Sequence, residues 1–214
     1  MGAQANKAAG APDVMTTRTR ARQMRGEVGR HLAVLGAVVA ALWLLELADV
    51  LIWRGGLDAY GIHPRTLRGL RNIAIAPWLH GDLWHVAANT IPFLLLGWMV
   101  MVRGLREFVM VSLIAAFVSG MGVWLLGAGN SVHIGASGVI FGYLGYLLAR
   151  GVLERSIPAV LLAVLAVLLY GGMLFGVLPG QPGVSWLGHL FGLLGGGLAA
   201  YFVVNRRFTS PPTA

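Results

Sequence analysis

The sequence predicts an all-α, polytopic membrane protein, one bundle of six spans joined by short polar breaks. Three observations carry this reading. Hydrophobic residues make up 57% of the chain and charged residues only 11%, with a mean hydropathy of +0.75, a balance that water-soluble domains do not reach. Apolar runs recur at the length needed to cross a hydrocarbon core, about 20 helical residues for ~30 Å. Positive charges gather on alternate breaks between those runs, the pattern that sets membrane topology.

Residues 1–30 place Lys7, Arg18, Arg20, Arg22, Arg25 and Arg30 among Ala, Gly, Thr and Gln without apolar periodicity, and read as a flexible basic cytosolic tail. The run 31–53 is span-length and leads into further spans, so it reads as a retained first span and not a signal peptide. Glu46 and Asp49 fall in its last turns, where they are expected to be structural, reaching an interface near the first-loop arginines. The loop 54–83 is long for a compact membrane domain, yet Leu67, Leu70, Ile73, Ile75 and Trp78 give it an apolar pattern. It is expected to lie partly in the membrane interface as short helical pieces. The remaining spans are predicted at approximately 84–102, 106–128, 137–153, 157–177 and 185–204, followed by a cytosolic tail over 205–214. Arg103 and Arg106, Arg150 and Arg155, and Arg206 and Arg207 follow the even-numbered spans and join the tail charges on the cytoplasmic side. Arg54, Arg65, Arg68 and Arg71 in the first loop are the exception. Both termini are thus expected in the cytoplasm of a cell-membrane protein.

The composition excludes several classes. Cysteine is absent, so disulfides and thiolate metal sites are ruled out. The net charge of +8 does not indicate nucleic acid, because the excess sits in the first thirty residues and beside apolar spans, where basic residues orient the chain or meet lipid head groups. No cofactor is expected.

Polar groups inside spans are costly unless partnered or functional. Here they concentrate at the starts of three even-numbered spans, "LHGDLWHVAANT", "HIGASGVIFG" and "SWLGHLFGLLGG". These starts share one side of a six-span chain, so groups one or two turns inside each lie at comparable depth. His85 and Asn89, four apart, share one helix face. Ser137 sits near a helix N-terminus, where free N–H groups and the helix dipole favour a developing anion. His189 lies about one turn into the last span. Gly188, Gly192 and Gly196 form a small-residue stripe there, and Gly138, Gly142 and Gly145 supply a matching face, so the two backbones can approach closely.

Serine becomes a useful nucleophile when a base takes its proton, and histidine suits that role near neutral pH. No Asp or Glu follows Glu154, so Ser137 and His189 form a candidate dyad without a carboxylate. The imidazole would be oriented by packing against Phe141. The oxyanion would find donors in the His85 and Asn89 side chains and the Ser137 backbone N–H. "GASGV" lacks the last glycine of the G-x-S-x-G elbow, which argues against an α/β-hydrolase. Taken singly, a span serine more often bonds its own helix and a lone histidine more often bridges helices. The conjunction at one depth favours chemistry.

These residues resemble the rhomboid intramembrane serine proteases. The resemblance rests on "HGDLWHVAAN" (His80, His85, Asn89), "GASG" (Gly135, Ser137, Gly138) and "GHLFGLLGG" (His189, Gly192, Gly196), in the family's order over most of 61–200, with "GIHPR" and "NTIPF" similar to a bacterial subgroup. It implies a six-helix rhomboid-type bundle with an outward-opening cavity, cleaving single-span or polytopic membrane proteins in or near their transmembrane segments. By position it implies Ser137 as nucleophile, His189 as base, an oxyanion hole from His85, Asn89 and backbone N–H groups, and His80 supporting the first loop. Two departures stand out: Phe141 occupies a position where many bacterial members have Tyr, and the first loop lacks their central Trp-Arg pair. The competing readings are a non-catalytic binder of transmembrane helices, which usually loses the Ser or His, and a small-solute transporter, for which internal repeats would be expected. A zinc protease is disfavoured by the absence of H-E-x-x-H.

Overall fold

The structure is a computed structural model that describes residues 14–209. The first helix, α1 (Val14–Ala48), continues through a π-helical turn over Asp49–Trp53 and stops where Arg54 and Gly55 take left-handed conformations. Its start corrects the expected tail. Residues 14–30, read as flexible, are helical and continuous with the first span, because Ala, Arg, Gln, Met and Glu favour a helix even along 19–30, where the side chains are exposed. Residues 1–13 lie outside the described residues. Further along α1, Leu35 and Leu42 are buried against α3 (Leu83–Met101), and His31 meets the edge of Trp98.

The first loop is helical in pieces: a 3₁₀ turn at Gly56–Tyr60, α2 (Leu67–Arg71) capped by the Thr66 hydroxyl accepting from Gly69 N–H, and 3₁₀ turns at Asn72–Ala74 and Ala76–Trp78. It is fastened to the far end of α4 (Leu105–Leu126) and the segment that follows it. Ile62 and His133 exchange backbone hydrogen bonds, Arg65 donates to the Gly127 carbonyl at 2.7 Å, and Trp124 Nε1 donates to the Thr66 carbonyl. Glu46 and Asp49 are both buried, but not beside the loop arginines as expected. Asp49 accepts from Leu57 N–H, and the charged neighbours of Glu46 are Asp58, Asp49 and Asp82. The three ion pairs among the described residues include neither group.

Next come α3 (Leu83–Met101), α4 (Leu105–Leu126), α5 (Ser137–Glu154), α6 (Ile157–Tyr170) with a 3₁₀ extension over Gly171–Val177, and α7 (Trp186–Thr209). The last helix runs through 205–209, past the start expected for the C-terminal tail, while 210–214 lie outside the described residues. Among the described residues five helices, counting α1 with its π turn and α6 with its extension, are long and apolar enough to cross a membrane, where six were expected. The helix that falls short is α5. It packs against α3, α4, α6 and α7, so its composition answers to protein neighbours and not to lipid, and it carries buried tyrosines, glycines and Arg150.

Two features hold this centre. Between α5 and α7 the glycine faces meet: a methyl on Gly192 or Gly196 would strike the carbonyl of Gly138 or Gly142. At the opposite end from Ser137, Arg150 is paired with Glu107 and Glu154, Arg103 also reaches Glu154, and Tyr146 hydrogen-bonds both Glu107 and Arg150. A guanidinium that is 2% exposed is tolerable because two carboxylates compensate it.

Candidate active site

Ser137 is the first residue of α5. The chain enters that helix through Gly135, whose φ of +112° suits glycine, with Gly135 N–H bonded to the Ala76 carbonyl and Ala136 N–H to His80 Nε2. As the first residue of its helix, Ser137 has no carbonyl one turn back to receive its own N–H, which is left for another acceptor.

His189 lies in the first turn of α7, and its Nε2 is 2.9 Å from Ser137 Oγ. Its Nδ1 is 3.0 Å from the Gly176 carbonyl, which can only accept. The partners therefore assign the tautomer: Nδ1 carries the proton and Nε2 accepts from the serine hydroxyl. The imidazole also stacks on Phe141, with ring centroids 4.1 Å apart and planes 9° from parallel. Stacking on Phe141 was expected; the Gly176 carbonyl was not, since no side-chain pattern marks a backbone acceptor thirteen residues upstream.

The other expected residues converge on the same turn. His85 Nδ1 accepts from Gly81 N–H at 3.5 Å, which leaves its proton on Nε2. A methyl at Gly135 would lie 2.8 Å from that Nε2 and 3.8 Å from Asn89 Nδ2, so both donors face the turn that delivers Ser137. Asn89 is 8% exposed and its Nδ2 has no hydrogen-bond partner among the described residues. His80 is 1% exposed, edge-on to His85 with centroids 4.9 Å apart. Burial, and then the neighbouring His85, push its pKa down to about 4, so it stays neutral and accepts from Ala136. Gly138, Gly192 and Gly196 lie at the α5–α7 contact, and a methyl on Gly138 would also strike Ser119 Oγ.

Three further polar residues surround the pair. His133 bridges Ser131 Oγ (2.8 Å) and Ser185 Oγ (2.7 Å), tying the segment that precedes Ser137 to the start of α7. Burial lowers its pKa. Ser119 Oγ donates to the Gly188 carbonyl. Ser119, His133, Ser185 and Gly188 help enclose a cavity of about 30 Å³ that reaches Ser137, enough for a water molecule. In the sequence His133 was visible within "HIGASG", but its partner Ser185 is 52 residues away. Among the described residues, no group of three His, Asp or Glu side chains is placed to hold a metal ion.

Comparison with known proteins points one way. The family model described as the Rhomboid domain matches residues 68–206. An uncharacterized protein of Mycobacterium tuberculosis (strain ATCC 25618 / H37Rv) is 40% identical over 208 residues, covering 94% of this chain and 85% of that protein. One from Mycobacterium leprae is 39% identical over 190 residues, covering 85% and 74%. YdcA of Bacillus subtilis, whose name assigns it to the rhomboid proteases, is 29% identical over 182 residues, covering 80% and 87%.

Proposed function

We propose, from the premise that this chain belongs to the rhomboid family, that it is an intramembrane serine endopeptidase working through a Ser137–His189 dyad. The observation that carries the reading is the 2.9 Å contact between Ser137 Oγ and His189 Nε2, with the imidazole held in the matching tautomer by the Gly176 carbonyl. That carbonyl does the orienting work a carboxylate does in a triad.

In this mechanism Ser137 Oγ attacks the scissile carbonyl carbon as its proton passes to His189 Nε2. The oxyanion is met by His85 Nε2–H, Asn89 Nδ2–H and the Ser137 N–H, donors fixed before substrate arrives. His189 then protonates the leaving amine, and an acyl-enzyme remains on Ser137. A water molecule, activated by His189, releases the second product and restores the serine. The small cavity among Ser119, His133 and Ser185 is a source from which that water can come.

Substrates in this reading are membrane-anchored proteins, single-span or polytopic, cut in or near their transmembrane segments. The chain is a multi-pass membrane protein. Its placement in the cell membrane with α5 as a sixth span, both termini in the cytoplasm and the site opening outward is supported by the distribution of arginines.

The test is reconstitution with a labelled single-span substrate. Wild type should cleave it and take up a fluorophosphonate probe, while Ser137→Ala and His189→Ala should each lower turnover by on the order of 10⁴ or more. Binding without Ser137-dependent cleavage would instead identify a non-catalytic binder, and cleavage undiminished in Ser137→Ala would refute the mechanism.

A further inference from the structure

α1 packs mainly on α3, and α4 mainly on α5 and α7, which leaves a groove between α1 and α4. Its volume is about 640 Å³, far larger than the cavity beside Ser137. Val38 and Leu42 form one wall, Val109, Leu113 and Phe117 the other, and the turns from Ile73 to Trp78 roof it. Its floor includes Phe93 and Tyr143, and the Tyr143 hydroxyl is already engaged with Ser112. Thus the interior offers hydrocarbon and no free polar group for a peptide to recognise.

The charged side chain in the lining is Arg71, in the roof, exposed and in no ion pair among the described residues. Its neighbour Arg68 is engaged, donating to the Ala59 carbonyl and lying over the Tyr60 ring. A deep apolar slot with one available guanidinium at its end matches an amphiphile that has an anionic head.

Size chooses between apolar occupants. From Phe108 to Phe117 the slot follows nine helical rises, about 14 Å, close to the ~15 Å depth of one leaflet. A transmembrane helix of that length and 10 Å diameter would need roughly 1,000 Å³, more than the slot provides. A lipid tail has the smaller cross-section. We propose that the groove between α1 and α4 binds an acyl chain of an anionic phospholipid, with its phosphate on Arg71.

The placement gives the site a consequence. Ala136 and Val139, which flank Ser137, line the groove, and its roof holds the Ser137 turn through the Ala76 carbonyl. An occupied groove therefore braces the segment that presents Ser137. The binding itself does not rest on the protease reading and is tested apart from it.

Trp78 in the roof is 40% exposed and serves as the reporter. The full chain is reconstituted in phosphatidylcholine vesicles containing increasing fractions of dibrominated phosphatidylglycerol or dibrominated phosphatidylcholine, and the Trp78 signal is isolated by difference from Trp78→Phe. Quenching should half-saturate at about a fivefold lower fraction of the anionic lipid. Arg71→Gln, an exposed change that leaves the packing intact, should erase that preference. Ala116→Phe, which fills the slot from α4, should remove saturable quenching by both lipids, with helicity checked by circular dichroism. Quenching that rises in proportion to lipid fraction, is equal for the two head groups and does not respond to Arg71→Gln would overturn the proposal. So would a Trp78 signal that neither lipid quenches.

Discussion

Asn89 presents a buried amide nitrogen to the turn before Ser137, and that nitrogen has no hydrogen-bond partner among the described residues. An unpaired buried donor costs about 1–3 kcal/mol, so a side chain held that way contributes no net stability through its amide. Under the proposed mechanism the same nitrogen is satisfied when an oxyanion forms, an interaction confined to the transition state. The two statements separate in one variant. Asn89→Ala should lower turnover on the labelled substrate by ~10²–10³ while leaving the thermal midpoint in detergent unchanged or slightly raised. A midpoint that falls along with activity would make Asn89 a packing residue, and turnover near wild type would remove it from the oxyanion hole. That Ser137, His189, His85 and Asn89 would lie near one another was legible in the sequence, because each lies within the first two turns of a predicted span. The Gly176 carbonyl and the Ser185–His133–Ser131 bridge were not, since they depend on where a 3₁₀ segment and a loop come to rest.

At the scale of elements, the 2.9 Å separation of Ser137 and His189 depends on how closely α5 and α7 approach. Gly196 and Gly197 make the point by contrast. A methyl on Gly196 would strike the Gly142 carbonyl and come within 2.6 Å of Tyr146 N, backbone atoms that cannot turn aside, whereas a methyl on Gly197 meets only Ala149 Cβ at 3.9 Å. Gly196→Ala should therefore cost about 1–3 kcal/mol by overpacking and, under the proposed mechanism, reduce cleavage by parting Ser137 from His189, and Gly197→Ala should be nearly silent in both. Equal thermal shifts for the two would show that the α5–α7 contact is looser than described. The glycine stripe was readable as a helix-packing face from its spacing alone. The helices themselves were less evenly legible. Hydropathy located α3, α4 and α7 to within a few residues, but not the N-terminal extension of α1, which is helical without an apolar face. It also hid the polar character of α5, which follows from its place among four other helices.

For the whole molecule, α5 joins two unlike ends. Thirteen residues, about 20 Å of helix, separate Ser137 from Arg150, so a cluster of histidines and an ion-pair network occupy opposite poles of one bundle. The pole that holds Ser137 gives folding its pH dependence. An unfolded histidine takes up its proton near pH 6.5, but folded His80, buried and beside His85, does so only near 4. Between those values the unfolded chain binds more protons, so stability rises with pH and is lost as pH falls. The slope reaches about 1.4 kcal/mol per pH unit, and the whole contribution is at most about 3 kcal/mol. Burial lowers the His133 pKa too and adds in the same direction. The Asp58 carboxyl, raised by burial and then by Asp49 and Asp82, opposes them, because the folded state holds that proton longer as pH rises. The histidines act at the turn that presents Ser137, where a protonated His80 could no longer accept from Ala136 N–H. Wild type in detergent should thus lose thermal stability progressively from pH 6.5 to 4.5. His80→Gln should start lower at pH 7.5, having lost a fitted ring, yet decline less steeply over the same interval. Parallel declines would mean that the acid sensitivity of the bundle arises elsewhere than at His80.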